Sequence, residues 1–155
     1  MIDIITSQKE IEILLYSLPK ILVATICGAI IGYEREKKNK VAGLRTITLI
    51  CVGSTIFTIA SLLLAQLGNS DPTRILSTIV TGIGFLGGGV IMKTEDKIVG
   101  ITTAAFIWVV SAIGIICGMG GTLTPVLLTI GLLLTSKLFE RVEKYIKEQN
   151  QLKKD

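Results

Sequence analysis

The sequence contains no histidine. It therefore lacks the commonest imidazole metal ligand and the side chain best suited to general base work near neutral pH. Cys27, Cys51 and Cys117 fall inside apolar segments, show no Cys-x-x-Cys spacing and read as small core residues. Acids are missing from the middle of every long apolar run, which cover residues 19–33, 44–66, 74–92, 98–118 and 122–139. Glu34, Glu36, Glu95 and Glu140 sit at run ends on one side, and Asp71 sits on the other. Proton relays and cation pumps place carboxylates within the membrane, so their absence counts against an autonomous active transporter. A Mg²⁺ path stays open, because Mg²⁺ keeps its waters and needs few carboxylates. No nucleophile–base pair is evident, which argues against a hydrolase. No basic segment precedes the first apolar run, where Asp3, Glu10 and Glu12 stand instead, so a cleavable signal is not expected. Pro19, Pro72 and Pro125 each lie at or just before the start of the first, third or fifth run. Proline suits a first helical turn, so no kink inside a run is predicted.

What is present is apolar and lopsided. Half of the 155 residues are hydrophobic and the mean hydropathy is +0.67. Runs of this length match the ~30 Å hydrocarbon core and predict an all-α membrane protein with five spans, about 19–36, 44–66, 74–92, 98–118 and 122–139. Of the 16 Lys and Arg, only Lys9, Lys20 and Arg74 fall on one side of such an arrangement. The other side takes Arg35, Lys37, Lys38, Lys40 and Arg45, then Lys93 and Lys97, then Lys137, Arg141, Lys144, Lys147, Lys153 and Lys154. Basic loops resist translocation, so this split predicts an external N-terminus and a cytoplasmic C-terminus in a bacterial inner membrane. The net charge of +4 reflects that bias and suits an anionic leaflet rather than nucleic acid.

The domain reading is a 1–18 N-terminal segment, a 19–139 transmembrane domain and a 140–155 cytoplasmic tail. Ile11, Leu14, Leu15 and Leu18 recur at helical spacing and predict a short amphipathic helix over 8–18 on the outer interface. Leu138, Val142, Tyr145, Gln149 and Leu152 share a stripe, with Glu140/Lys144 and Glu143/Lys147 as supporting pairs, so the last helix is expected to continue into the tail.

Small residues mark the expected helix contacts. Gly28 and Gly32 form a small-xxx-small face in the first span. Ser54, Thr58 and Ser61 share a face of the second, and Ala104, Ser111, Gly114 and Gly118 lie close to one face of the fourth. These faces suit a polar pathway or, better, ordinary helix packing. Gly82, Gly84, Gly87, Gly88 and Gly89 crowd the third span. Each weakens a helix by about 1 kcal/mol relative to alanine in water, so the span is either a tightly packed helix or an irregular backbone buried in protein or lining water; a buried central helix is the favoured expectation, with Gly84 and Gly88 against a neighbour. Gly82–Gly87 also spells GxGxxG, but no strand precedes it and no acid follows at the required distance, so a dinucleotide site is rejected. Lys93-Thr94 is no phosphate loop, since Met92 replaces the required glycine.

The charged hinge between the first two spans is the best functional candidate. Glu34, Arg35 and Glu36 end one span, while Gly43, Arg45 and Thr46 open the next. Matching depth on adjacent helices predicts a Glu34–Arg45 pair that fixes the two spans, because an unpaired charge near hydrocarbon is costly. Arg35 and Thr46 would flank it as the functional surface.

Together, Gly28–Glu36 (GAIIGYERE), Ala42–Thr46 (AGLRT), Arg74–Met92 (RILSTIVTGIGFLGGGVIM) and Val99–Gly118 (VGITTAAFIWVVSAIGIICG) resemble the MgtC/SapB family of bacterial inner-membrane proteins. The resemblance covers roughly residues 19–120; the last span resembles the family in hydropathy only. It implies a five-span membrane domain and a link to growth under magnesium limitation. Some members act as virulence factors inside macrophages. The family was once labelled a magnesium-transport component and is now more often viewed as regulating other membrane machines, including the F-type ATP synthase. Many members carry a soluble C-terminal domain; the resemblance here is to the short form without it. The expected function is thus a non-enzymatic modulator of a membrane partner, with a Mg²⁺ channel or transporter component as the alternative. The expected partners are the lipid bilayer, further copies of the chain and a membrane protein. No cofactor and no metal site are expected.

Overall fold

The computed structural model describes residues 7–68, 71–95 and 97–152. Helix α1 is Ser7–Lys37, α2 Leu44–Leu67, α3 Thr73–Gly89, α4 Ile101–Gly118 and α5 Leu123–Leu152. Between α3 and α4, strands β1 (Met92–Lys93) and β2 (Ile98–Val99) form a short antiparallel hairpin, with Met92 opposite Val99 and Lys93 opposite Ile98. Among the described residues the fold is otherwise all-α, and four stretches are long and apolar enough to cross a membrane: Glu10–Lys37, Leu44–Leu67, Ile101–Gly118 and Leu123–Leu152. Helix α3, at 17 residues, reaches only ~26 Å at about 1.5 Å per residue. Lys153 and Lys154 of the basic tail lie outside the described residues.

Residues 8–18 and the first span form one element. Pro19 lies inside α1 rather than at the start of a helix. The break expected there is bridged from both sides: the Lys20 ammonium sits 3.4 Å from the centroid of the Tyr16 ring, across the proline. The same ammonium donates to the Gly118 carbonyl at 3.2 Å. A cation on the open carbonyls of a helix C-terminus is favourable, so Lys20 ties α1 to the end of α4.

Two helix ends are closed by the same device. Asn39 adopts a left-handed φ of 51°. Its N–H donates to the Glu36 carbonyl and that of Lys40 to the Arg35 carbonyl, which stops α1 cleanly. At the end of α4, Gly120 has a φ of 99°, and Gly120 and Gly121 donate to the carbonyls of Cys117 and Ile116 in the same way.

The core lies between α1, α2 and α4. Ala24, Cys27 and Ile31 meet Ile47, Cys51, Val110, Ile113 and Cys117 there. Small residues let the backbones approach. A Cβ on Gly28 would come within 2.9 Å of Thr48 Cα, and one on Gly32 within 2.8 Å of Leu44 Cα. Gly114 lies against the Cys51 carbonyl, and a Cβ on Gly118 would fall 2.8 Å from the Thr55 carbonyl oxygen. The hydroxyls along the α2–α4 contact satisfy one another or the backbone. Ser54 Oγ is 2.9 Å from Ser111 Oγ, Thr55 donates to the Gly114 carbonyl at 2.8 Å, and Thr58 donates to the Ser54 carbonyl at 2.8 Å. Polar atoms are thus consumed in packing.

Helix α3 is continuous but peripheral, not central. It leans more on α4 than on α2, and only Ile83 and Gly87 are buried. Gly87 faces Ala104, whose Cβ would lie 3.6 Å away from an added Cβ. Gly82, Gly84 and Gly88 have no neighbour within 4 Å of that position. Within one chain, therefore, Gly84 and Gly88 are not packing positions. The side of α3 that carries them turns away from the bundle. Helix α5 buries only Pro125 and Thr129 and extends past the bundle.

Candidate functional site

The charged cluster at the end of α1 is built by three consecutive residues that point three ways. Successive helical residues are rotated by about 100°, so one turn of α1 reaches three neighbours.

Glu34 does not pair with Arg45. Its carboxylate forms an ion pair with Lys38, one turn on, which also bonds Glu140 on α5. The pairing follows from α1 itself: Lys38 lies at i+4, within direct reach, whereas Arg45 projects outward from the first turn of α2 and is exposed. Burial alone would lower the Lys38 pKa, but the contacts with Glu140 and Glu34 outweigh it and hold the ammonium above the ordinary lysine value. Because Glu140 is taken by Lys38, the tail pairs are Glu143–Lys147 at 2.7 Å and Lys144–Glu148 at 3.9 Å, not Glu140–Lys144.

Arg35 is buried, at 1% exposure. Its guanidinium carbon lies 4.1 Å from the centroid of the Phe106 ring, and Nη2 is 3.4 Å from Thr103 Oγ1. Both contacts come from α4. Its Nε has no hydrogen-bond partner, while the neighbouring Glu34 carboxylate is met by the Lys38 ammonium. A fully buried guanidinium held by an aromatic face and one long hydroxyl contact is costly. Such a group is a functional candidate on physical grounds.

Glu36 caps α2. Its Oε2 accepts the Leu44 N–H at 2.9 Å. A carboxylate at a helix N-terminus satisfies an orphan donor and complements the dipole. Gly43 leaves room for this contact, since a Cβ there would overlap the Glu36 carboxylate and push it off the cap. Gly32 lies beneath Leu44 on the same joint. The ERE and AGLRT segments are therefore two halves of one corner.

Thr46 is exposed beside Arg45, and both line a groove of about 880 Å³ between α2 and α3. Sequence reasoning missed this groove, the Glu36 cap and the Lys20 anchor. Only the cap had a readable signal: a glycine directly before a helix that opens opposite two acids. Among the described residues, no group of three or more Cys, Asp and Glu side chains gathers as metal ligands would.

Curated relatives match part of the chain. A protein MgtC of Brucella abortus (strain 2308) is 45% identical over 97 residues, 63% of this chain and 40% of the relative. An Escherichia coli (strain K12) protein named "Putative magnesium transporter YhiD" is 50% identical over 107 residues, 64% of this chain and 49% of its own length. A Haemophilus influenzae protein is 37% identical over 140 residues, 85% of this chain and 59% of the relative. The chain thus spans about half the length of these curated relatives. No solved structure matches it. The sequence pattern of the MgtC family matches residues 21–145, taking in the α1–α2 corner and four apolar helices; the chain is a multi-pass membrane protein and belongs to the MgtC family.

Proposed function

We propose that this protein modulates a membrane partner and in that way supports adaptation to magnesium limitation, rather than carrying an ion itself. The link to Mg²⁺ rests on the family and on the transporter name of the relative from Escherichia coli. The observation that carries the modulator reading is Arg35. A buried guanidinium at one end of the α1–α2–α4 core, 1% exposed, opposes passage of a divalent cation. The paired hydroxyls of the α2–α4 contact support the same reading, because they leave no ladder of free oxygens for an ion.

In this reading α3 completes five crossings, with its charged-hairpin end and the C-terminus in the cytoplasm. The first turns of α1 emerge at the outer interface. The open side of α3 receives a second copy of the chain or a partner helix. Reporter fusions at residues 39, 70, 96, 121 and 150 should then alternate from inside to outside and finish inside. A C-terminal fusion reporting an external location would overturn the topology.

The second reading, a Mg²⁺ channel or transporter component, is favoured by the relative's printed name alone. One experiment separates the two. Purified protein in liposomes loaded with a Mg²⁺ indicator should give no flux above empty vesicles. Mg²⁺ flux above that of empty vesicles would place an ion path through this chain and sink the modulator reading.

A further inference from the structure

The groove between α2 and α3 is hollowed by a glycine on each wall. Gly53 and Gly82 both line it, and neither has an atom within 4 Å of an added Cβ. Leu49, Phe57, Ile79 and Leu86 make most of the remaining surface apolar. Its one charged lining residue is Arg45, in the first turn of α2, with the Thr46 hydroxyl beside it. Among the described residues no carboxylate pairs with Arg45, whereas Glu34, Glu140 and Glu36 are already engaged with Lys38 and the Leu44 N–H. The charge is therefore available to an anion from outside the chain.

The dimensions select the kind of anion. From Arg45 to Phe57 the wall is ~18 Å long at about 1.5 Å per residue, close to the ~15 Å of hydrocarbon in one leaflet. The groove, of about 880 Å³, is long enough for acyl chains. We propose that it is a binding site for an anionic phospholipid, with acyl chain lying between Gly53 and Gly82 and phosphate held by Arg45 and Thr46. One basic residue near a membrane surface contributes about 1 kcal/mol toward an anionic lipid, which corresponds to a preference of about fivefold.

The test uses the purified full chain in detergent with dioleoylphosphatidylglycerol or dioleoylphosphatidylcholine, scored by native mass spectrometry of retained lipid. The wild type should retain the glycerol lipid about fivefold better. Arg45→Gln should bring the two lipids level, and Arg74→Gln, at the start of α3, should leave the preference intact. Gly53→Leu fills open space, so it should fold normally and retain less of either lipid. Equal retention by the wild type, a preference that survives Arg45→Gln, or an equal loss in Arg74→Gln would overturn the proposal. So would thermal stabilisation by inorganic phosphate matching that by phosphatidylglycerol, which would remove the acyl chain from the argument. Efficient disulfide cross-linking of two copies through Gly53→Cys would make the groove an interface instead.

Discussion

Replacing Gly114 by alanine would set a methyl group on the Cys51 carbonyl oxygen and within 3.0 Å of Ser54 Cβ. That carbonyl belongs to the middle of α2 and has no freedom to swing aside, so α2 and α4 must separate. Separation breaks the Thr55–Gly114 hydrogen bond of 2.8 Å and stretches the Ser54–Ser111 contact of 2.9 Å. Overpacking of this kind costs about 1–3 kcal/mol, and hydrogen bonds between membrane helices average ~0.6 kcal/mol each. The expected loss is about 2–4 kcal/mol. Gly88→Ala is the matched control. It meets nothing within 4 Å and relieves a helix penalty of up to about 1 kcal/mol, so it should be neutral or mildly stabilising. Unfolding of the purified protein by sodium dodecyl sulfate in mixed micelles, followed by circular dichroism, measures both. A Gly114→Ala variant within about 0.5 kcal/mol of wild type, or a Gly88→Ala variant as damaged as Gly114→Ala, would refute the assignment of which glycines pack.

Three further outcomes are expected. Gly43→Ala should destabilise by about 1 kcal/mol by displacing the Glu36 carboxylate from its cap, and Glu36→Ala by about as much through loss of the same cap; the double variant should cost less than their sum, since both remove one contact, and strict additivity would deny the contact. Arg35→Met should leave thermal stability unchanged or raised, because an apolar side chain of similar size replaces a poorly compensated buried charge, while rescue of growth at low magnesium is lost; retained rescue would remove Arg35 from function. The Lys38 pKa is raised in the folded state, so its contribution is complete below the ordinary value of about 10.4 and disappears as pH rises through the higher folded value. Thermal melts from pH 9 to 11.5 should therefore show an alkaline loss that Lys38→Met lacks.

The fold was legible where hydropathy alone decides it. The α2 and α4 runs became helices with boundaries within a few residues of those expected, and the last run continues as α5 to Leu152, well past the span end expected at 139. Periodicity said less about Pro19, because the contact that carries α1 through it joins Tyr16 and Lys20 to the far end of α4. The α3 glycines were ambiguous for a related reason. A glycine in a membrane helix marks close approach or merely a small lipid-facing residue, and only the neighbour decides. Gly114 has Cys51 across from it, while Gly88 has open space. The charged corner between α1 and α2 was wired differently from what the sequence suggested. Equal depth suggested Glu34 with Arg45, yet depth says nothing about azimuth, and Lys38 at i+4 is in direct line.

Azimuth also explains why three charges are placed side by side at the end of one helix. Glu34 turns toward Lys38 and through it reaches α5, Arg35 turns into α4, and Glu36 turns onto the first N–H of α2. A single turn of α1 thus touches every other helix except α3. Movement of α1 relative to any one of them would disturb all three contacts together. Glu36 and Lys38 are satisfied and serve to hold that turn in place. Arg35 keeps a buried Nε without a hydrogen bond, so the cost of the arrangement is concentrated on that residue. A rearrangement that supplied this atom with a partner would be favoured there more than anywhere else in the corner. The residues that hold the turn and the one that strains it make separable predictions: Glu36 and Lys38 variants should shift stability, whereas Arg35 variants should shift activity.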